Sequence, residues 1–351
     1  MPYSIYIFSI NHLGDKMEVL CIDIGKGTQD ILYIDTNKNI ENSIKLILPS
    51  PTVILAEKIK KMNEDLKIDG VIMGGGPVNK AISEHIKKGF KVEISENAAR
   101  TIRDDLEEVK KKGIIIKESI ENPNVIFRDL DFDMLKNIFT SIGKEFNPDF
   151  VCVACQDHGF VKGQSDRITR FKYFENKLKE TKDPYKFYFE EKTDYFSRFD
   201  AILETLKENN YKGFVMDSKI ASICGILNYA KENGIDEFIG LDIGNGHTLG
   251  VSIKDGKIMG LFEHHTRLLT PKKLKNIVDK LANGTLTNEE IFNDNGHGAV
   301  VLDSINPEEI LIAGPNREMF KDYGKYAYPG GDVMITGCVG LYDVLKSIKG
   351  F

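Results

Sequence analysis

At 351 residues, 41 % apolar and carrying a net charge of −6, the chain has material for two ordinary domains, and no basic face suited to nucleic acid or an anionic membrane. No apolar run nears the ~20 residues of a membrane span, the N-terminus lacks signal-peptide order, and five cysteines suit reduced thiols better than a disulfide framework. A cytoplasmic location is the expectation.

Residues 1–16 precede the first strand and are expected to be an extension or a misassigned start. An apolar run at 18–22 ends in Asp23-Ile-Gly25-Lys-Gly27-Thr28 and restarts at 31–34, which predicts a hairpin. A third strand at 44–48 is stopped by Pro49 and Pro51, and αβ alternation follows. Its predicted elements are a helix at 53–66, a strand at 70–73, a helix from Pro77 to residue 86, a strand at 90–94, a helix at 96–112 and a strand at 114–116. A helix at 131–142 then leads into the continuous apolar run 150–155, which suits a central strand covered on both faces. Residues 166–199 are rich in aromatics and charges and show no clear period. Beyond them the pattern predicts a strand at 214–216, a helix at 218–232, a second hairpin around Asp242-Ile-Gly244-Asn-Gly246-His247-Thr248, and a strand at 258–262. Helices at 271–282 and 288–292, a strand at 310–312 and a closing helix at 339–348 complete the chain.

The two Asp-x-Gly-x-Gly hairpins are the main chemical signal. Neither opens a helix, unlike the dinucleotide fingerprint or the P-loop, and no G-x-x-x-x-G-K-[ST] string occurs. Glycines can adopt φ > 0 and admit an anion close to backbone N–H groups, so each tip suits phosphate. Asp23 and Asp242 would then hold Mg²⁺ through water, since a carboxylate beside phosphate needs an intervening cation. Either loop alone reads more readily as an ordinary hairpin turn. Recurrence in matched strand context favours the phosphate reading and marks an internal duplication.

In these loops the chain resembles the actin-like ATPase superfamily of sugar and acetate kinases, chaperone ATPases and actin. The resemblance implies an α/β fold: two ribonuclease H-like domains with mixed sheets flanked by helices, facing across a nucleotide cleft that takes ATP and Mg²⁺. It implies a first domain over 17–216 with inserted αβ segments, a second over 217–335, and a connector at 336–351 returning to the first. Gly25, Gly27 and Thr28 then belong to the first phosphate segment, and Asp242, Gly244, Gly246, His247 and Thr248 to the second. Gly314, Pro315 and Asn316 resemble the adenosine segment, with Pro315 in place of its second glycine. The stretches 215–225 and 336–342 resemble the two small-residue connectors. More narrowly, the whole chain is similar to an archaeal family labelled pyruvate formate-lyase activating-enzyme-like. Radical chemistry of that kind requires three cysteines in C-x-x-x-C-x-x-C spacing, and only Cys152 and Cys155 approach it, so that chemistry is not expected.

Gln156-Asp157-His158-Gly159 follows the buried strand and resembles the Gly-Gln-x-His-Gly loop of xylulokinase-like kinases, with Cys155 in place of the first glycine. Asp157 or His158 is a candidate to take a proton from an acceptor hydroxyl, with Asp23 beside the phosphates and Gln156 on the substrate; the alternative for Asp157 is an Asx-capped turn. Gly75 and Gly76, before a helix, suit a substrate anion or a plain turn. His264 and His265 are further substrate candidates. Were they and His297 to meet Cys152, Cys155 or His158 in space, a transition metal would have ligands; separated histidines are more often satisfied polar groups. The expected activity is a sugar-kinase-like phosphotransferase for a small hydroxyl or carboxyl metabolite. The alternatives are an ATPase that drives a partner redox or radical enzyme, and a nucleotide-sensing scaffold; a homodimer is compatible with each.

Overall fold

The computed structural model describes residues 16–161, 166–193 and 195–350; all but the last residue of the expected extension lies outside them. In chain order the first part comprises β1 (Glu18–Ile24), β2 (Thr28–Asp35), β3 (Ile44–Pro49), α1 (Pro51–Lys61), β4 (Leu66–Gly70), α2 (Gly76–Lys87), β5 (Val92–Ser95), α3 (Glu96–Ala99), α4 (Leu106–Lys110), β6 (Ile115–Lys117), β7 (Val125–Phe127), α5 (Phe132–Ser141), β8 (Phe150–Cys155), α6 (Asp166–Glu180), β9 (Tyr188–Phe189), α7 (Ser197–Glu208) and β10 (Lys212–Asp217). The second part comprises α8 (Ser218–Glu232), β11 (Glu237–Ile243), β12 (His247–Lys254), β13 (Lys257–His265), α9 (Pro271–Ala282), α10 (Asn288–Asn293), β14 (Gly298–Val301), β15 (Glu309–Ala313), β16 (Lys325–Tyr326) and α11 (Thr336–Lys349).

Two sheets repeat one plan. The first runs β3-β2-β1-β8-β10-β9 and the second β14-β13-β12-β11-β15-β16. In each, the strand that ends in Asp-Ile-Gly pairs antiparallel with the strand after the bend and parallel with a strand reached by a long crossover. Placing β1 and β11 centrally follows from sequence, because both are almost wholly apolar and buried on both faces. This duplicated mixed α/β architecture agrees with the pair of mixed sheets flanked by helices that the resemblance implies.

A third, all-parallel sheet, β6-β5-β4-β7, is carried by the insertion and has its own core around Ile68, Ile82, Val92 and Phe127. The strand expected at 70–73 lies earlier, at β4. Gly70 ends that strand with φ +120°, and a Cβ there would meet the Phe127 carbonyl oxygen at 2.1 Å, so the close approach of β7, a strand the periodicity did not reveal, sets the stop. The helix expected over 96–112 is broken into α3 and α4. Between them, Thr101 Oγ1 accepts from the Met73 amide at 3.1 Å and its carbonyl accepts from Asn79 at 3.1 Å, so the segment buttresses the Gly74–Gly76 loop. The unplaced stretch 166–199 forms α6, β9 and the start of α7, and α6 sends Phe171, Phe174 and Leu178 into the core that also holds residues of both main sheets.

Helices α8 and α11 cross between the two main sheets inside the largest apolar core. The crossing needs glycine: a Cβ on Gly340 would fall 1.9 Å from the Ala221 oxygen, and one on Gly225 2.1 Å from the Thr336 oxygen.

Candidate functional site

Each Asp-tipped bend closes with the same bond: the Gly25 amide donates to the Thr28 carbonyl at 2.9 Å, and the Gly244 amide to the His247 carbonyl at 3.0 Å. The scaffold ties the remaining loop carbonyls back. Ser50 bonds Lys26 and Gly27, while Thr266 and Asn316 bond Gly244 and the Thr266 amide bonds Gly246. The amides left over are those that can meet an anion. None of the four bend glycines has φ > 0, so space, not a left-handed backbone, is what glycine supplies: a Cβ on Gly244 would strike Lys219 Nζ at 2.3 Å. The two bends face each other, since a Cβ on Gly27 would lie 3.5 Å from the Asn245 amide nitrogen.

Both bends line one cavity of about 780 Å³, within the usual range for small-molecule sites. Asp23, Gly25, Gly27 and Thr28 reach it from one lobe, and Asp242, Gly244, Gly246 and His247 from the other. Gln156, Asp157, His158, Gly75, Gly76, His265, Gly314 and Pro315 complete its predicted lining. Three candidates do not line it. Thr248 is fully buried and bonds the Thr266 hydroxyl at 3.0 Å. His264, equally buried, turns to Asp294 at 2.9 Å because side chains alternate along β13. Asn316 spends its amide on the carbonyl of Gly244 and on Asn245, as a brace for the bend.

The electrostatics divide the cavity floor. Asp23 is buried, leaves Oδ1 without a partner, and takes its other contact from Ser218. Burial first, then the facing Asp30, raises its pKa well above the usual carboxylate value. Asp30, its cross-strand neighbour, likewise has an unpartnered buried Oδ1 and is pushed up to about 7, chiefly by desolvation. Asp242 differs: its Oδ2 is 2.7 Å from Lys219 Nζ, with both side chains nearly buried. Lys219 is the one long cationic side chain among the small and apolar residues that follow Asp217 in the first connector, and that contrast was the available signal for it.

Asp157 is committed to structure. Its Oδ1 accepts from the Gly159 amide and its Oδ2 from the Arg198 amide in the first turn of α7, both at 2.8 Å, which is the Asx-turn alternative. Desolvation lifts its pKa to about 6. Arg198 also braces the site, forking onto Asp129 at 2.7 and 3.0 Å and onto the Gln156 carbonyl at 2.9 Å.

Histidines gather on the opposite wall. His158, His247 and His297 place one ring nitrogen each within 4.8 Å of the others. The His265 ring lies 4.8 Å from that of His247 and 4.9 Å from that of His297, centroid to centroid. Burial lowers the His158 pKa to about 3 and that of His247 to about 2. Behind them Glu263 is fully buried; although burial opposes ionisation, Arg170 above all holds its carboxyl well below the ordinary value. Arg170 is 1 % exposed and bonds Glu263 Oε2 and Asp217 Oδ2 at 2.7 Å each, and the Asp157 carbonyl at 2.9 Å.

The cysteines do not join this assembly. Cys152 faces the core shared with α8 and α11, while Cys155 faces the core on the other side of the sheet, as an i, i+3 spacing in a strand requires. All five cysteines are buried and unbridged. Among the described residues, no helix is long and apolar enough to cross a membrane.

Similar folds occur among solved structures. The ethanolamine utilization protein EutJ from Carboxydothermus hydrogenoformans is 11 % identical, with 92 % of this chain and 88 % of that one covered and a TM-score of 0.35. A ROK family glucokinase from Streptomyces griseus, in complex with glucose and AMPPNP, is 11 % identical over 93 % and 98 % of the two chains, with a TM-score of 0.37. An inorganic polyphosphate/ATP-glucomannokinase from Arthrobacter sp. strain KM gives 11 %, 94 % and 99 %, and 0.36. At these values the likeness is distant and assigns this chain neither activity nor substrate. No curated protein matches the chain in sequence. The chain belongs to the family described as "Putative pyruvate format-lyase activating enzyme (DUF1786)", whose model matches residues 73–319.

Proposed function

We propose that the protein is a Mg²⁺-dependent ATP-binding enzyme that transfers a phosphoryl group to a small hydroxyl- or carboxyl-bearing metabolite. The observation that carries this reading is the convergence of two Asp-tipped bends, one from each lobe, on one cavity. The donor set fits the cofactor. Asp23 and Asp30 present unpartnered buried carboxylate oxygens, and hard oxygen donors in small number are what Mg²⁺ takes. Asp23 and Asp30 would hold the ion, directly or through water, with Asp242 nearby on Lys219. The ion's contribution when bound is to neutralise phosphate charge and to align the reacting oxygens.

The chain's own groups supply the rest. Bend amides orient the phosphates, and Lys219, already fixed by Asp242 at 2.7 Å, adds a cation to a floor otherwise dominated by carboxylates. The α8 and α11 crossing, tight at Gly225 and Gly340, acts as the pivot through which lobe closure excludes water. His158, neutral at physiological pH, can accept a proton, whereas Asp157 spends both oxygens on amides.

That commitment of Asp157 favours one second reading, an ATPase whose closure works on a protein partner and which needs no acceptor base. The radical-activase role suggested by the family's description draws no support from Cys152 and Cys155 on opposite faces of β8. Purified protein given Mg-ATP and a panel of small hydroxy and carboxy metabolites decides between the readings. ADP matched by a phosphorylated product supports the transferase; ADP that appears alone, whatever metabolite is added, supports the partner-driven ATPase.

A further inference from the structure

We propose that His158, His247 and His297 form a binding site for a divalent transition-metal cation of the zinc type, with one coordination position open toward the cleft for an oxygen ligand. The site stands on these side chains alone and is independent of the nucleotide reading, except that a cation bound here occupies the His158 nitrogen that would otherwise accept a proton.

Three elements far apart in sequence deliver the imidazoles: the loop after β8, the first residue of β12, and the residue before β14. Their ligand atoms lie within 4.8 Å of one another. Nitrogens bound to a tetrahedral ion with bonds of about 2.1 Å are about 3.4 Å apart, so the three would draw in by roughly an ångström.

The groups behind the rings are those a metal site needs. Glu263 can only accept hydrogen bonds, and Gln156 Nε2 donates to its Oε1 at 2.7 Å. This orients the amide so that Gln156 Oε1 faces His247 Nδ1, 3.0 Å away. His247 must therefore carry its proton on Nδ1, which leaves the Nε2 lone pair free. Glu263 Oε1 also lies 3.3 Å from His297 Nδ1, which makes no aligned hydrogen bond as placed; the facing carboxylate favours a proton on that nitrogen electrostatically. Arg170, bonded to Glu263 at 2.7 Å, holds the carboxylate in place. A carboxylate and an amide that fix ring orientation from behind are the usual outer partners of metal-bound imidazoles.

Three neutral imidazoles without thiolate suit zinc and its first-row neighbours over Mg²⁺ or Ca²⁺. His158 and His247 line the cavity, as does His265 beside them, so the open position faces the space in which the second ligand would lie. The ligand class is an oxygen donor: water, a hydroxyl or a carboxylate. Because His158 comes from one lobe and the other two from the second, the cation would also tie the lobes together.

The test uses full-length, tag-free protein stripped with a chelator and then titrated with Zn²⁺ by calorimetry and with Co²⁺ by visible absorption. One cation per chain and a cobalt d–d band of imidazole coordination are expected. His158→Ala and His297→Ala, shown folded by circular dichroism, should abolish both signals, and Gln156→Ala should retain the band while weakening affinity about 10- to 100-fold. Asp23→Asn should leave the band unchanged, which separates this site from the nucleotide pocket. Absence of stoichiometric binding by the wild-type protein, or undiminished binding by the folded histidine variants, overturns the proposal.

Discussion

Replacing Arg170 by methionine removes a cation that is 1 % exposed and serves two carboxylates at once, Glu263 and Asp217, each at 2.7 Å. Methionine fills much of the space, so the loss is electrostatic rather than a cavity. Taking one partner from a buried ion pair costs about 3–5 kcal/mol because the remaining charge is stranded, and here two carboxylates are stranded. With an unfolding entropy of about 2.1 cal/mol/K per residue over 351 residues, that cost corresponds to a fall in Tm of about 4–7 °C. The effect should also reach the cleft. Asp217 caps α8, accepting from the Lys219 and Ile220 amides at 2.9 and 3.3 Å, and Lys219 carries the contact to Asp242. Calorimetric melts of Arg170→Met, Glu263→Gln and the double variant test this. The double variant should be more stable than Arg170→Met alone, with a coupling of about 1–3 kcal/mol. A fall below about 1 °C in the single variant, or strict additivity, would refute the view that Arg170 is the shared counter-charge of these two buried carboxylates.

Other expectations follow from the same geometry. Asp30 is raised to about 7 from an ordinary 3.8, so the folded chain binds the extra proton between those values and stability declines as pH climbs through them; the cost is fully present above pH 7. Asp30→Asn should therefore stabilise the nucleotide-free protein at pH 8 by on the order of 2–4 kcal/mol, with the gain vanishing near pH 4 in urea melts. Lys219→Met strands Asp242 and removes a cation from the floor, and should weaken Mg-ATP binding tenfold or more by equilibrium titration, about 1.4 kcal/mol. Gly340→Ala would drive a methyl to 1.9 Å from the Ala221 oxygen; overpacking of this kind costs about 1–3 kcal/mol, measurable by chemical denaturation.

Much of the fold was legible because its signals are local. The Asp23 and Asp242 bends lie between apolar strands that pair with each other across the bend, and α9 carries a clear period, with Leu274, Ile277, Val278 and Leu281 buried. What was illegible depends on partners far away in sequence. Gly70 stops β4 because of Phe127, and residues 100–105 leave the helix because Thr101 is needed under the Gly74–Gly76 loop. The site shows the same division. The bends and the Gln156–His158 loop were visible, but Arg170 and Arg198 lie in a stretch whose pattern gives no face. Asp157 could not be told from a cap until Arg198 was placed above it. The histidine cluster was foreseen only as a condition, and the ring that completes it, His247, had been assigned to phosphate. His264, the neighbour of His265, belongs to the other face of β13 and serves Asp294.

The account depends on both bends gripping the same nucleotide, and calorimetric titration of Mg-ATP into wild-type protein, Asp23→Asn and Asp242→Asn measures that directly. The prediction is one nucleotide per chain, with affinity reduced tenfold or more by either change, each from a different lobe. Undiminished binding in both variants, or two independent nucleotides per chain, would contradict it.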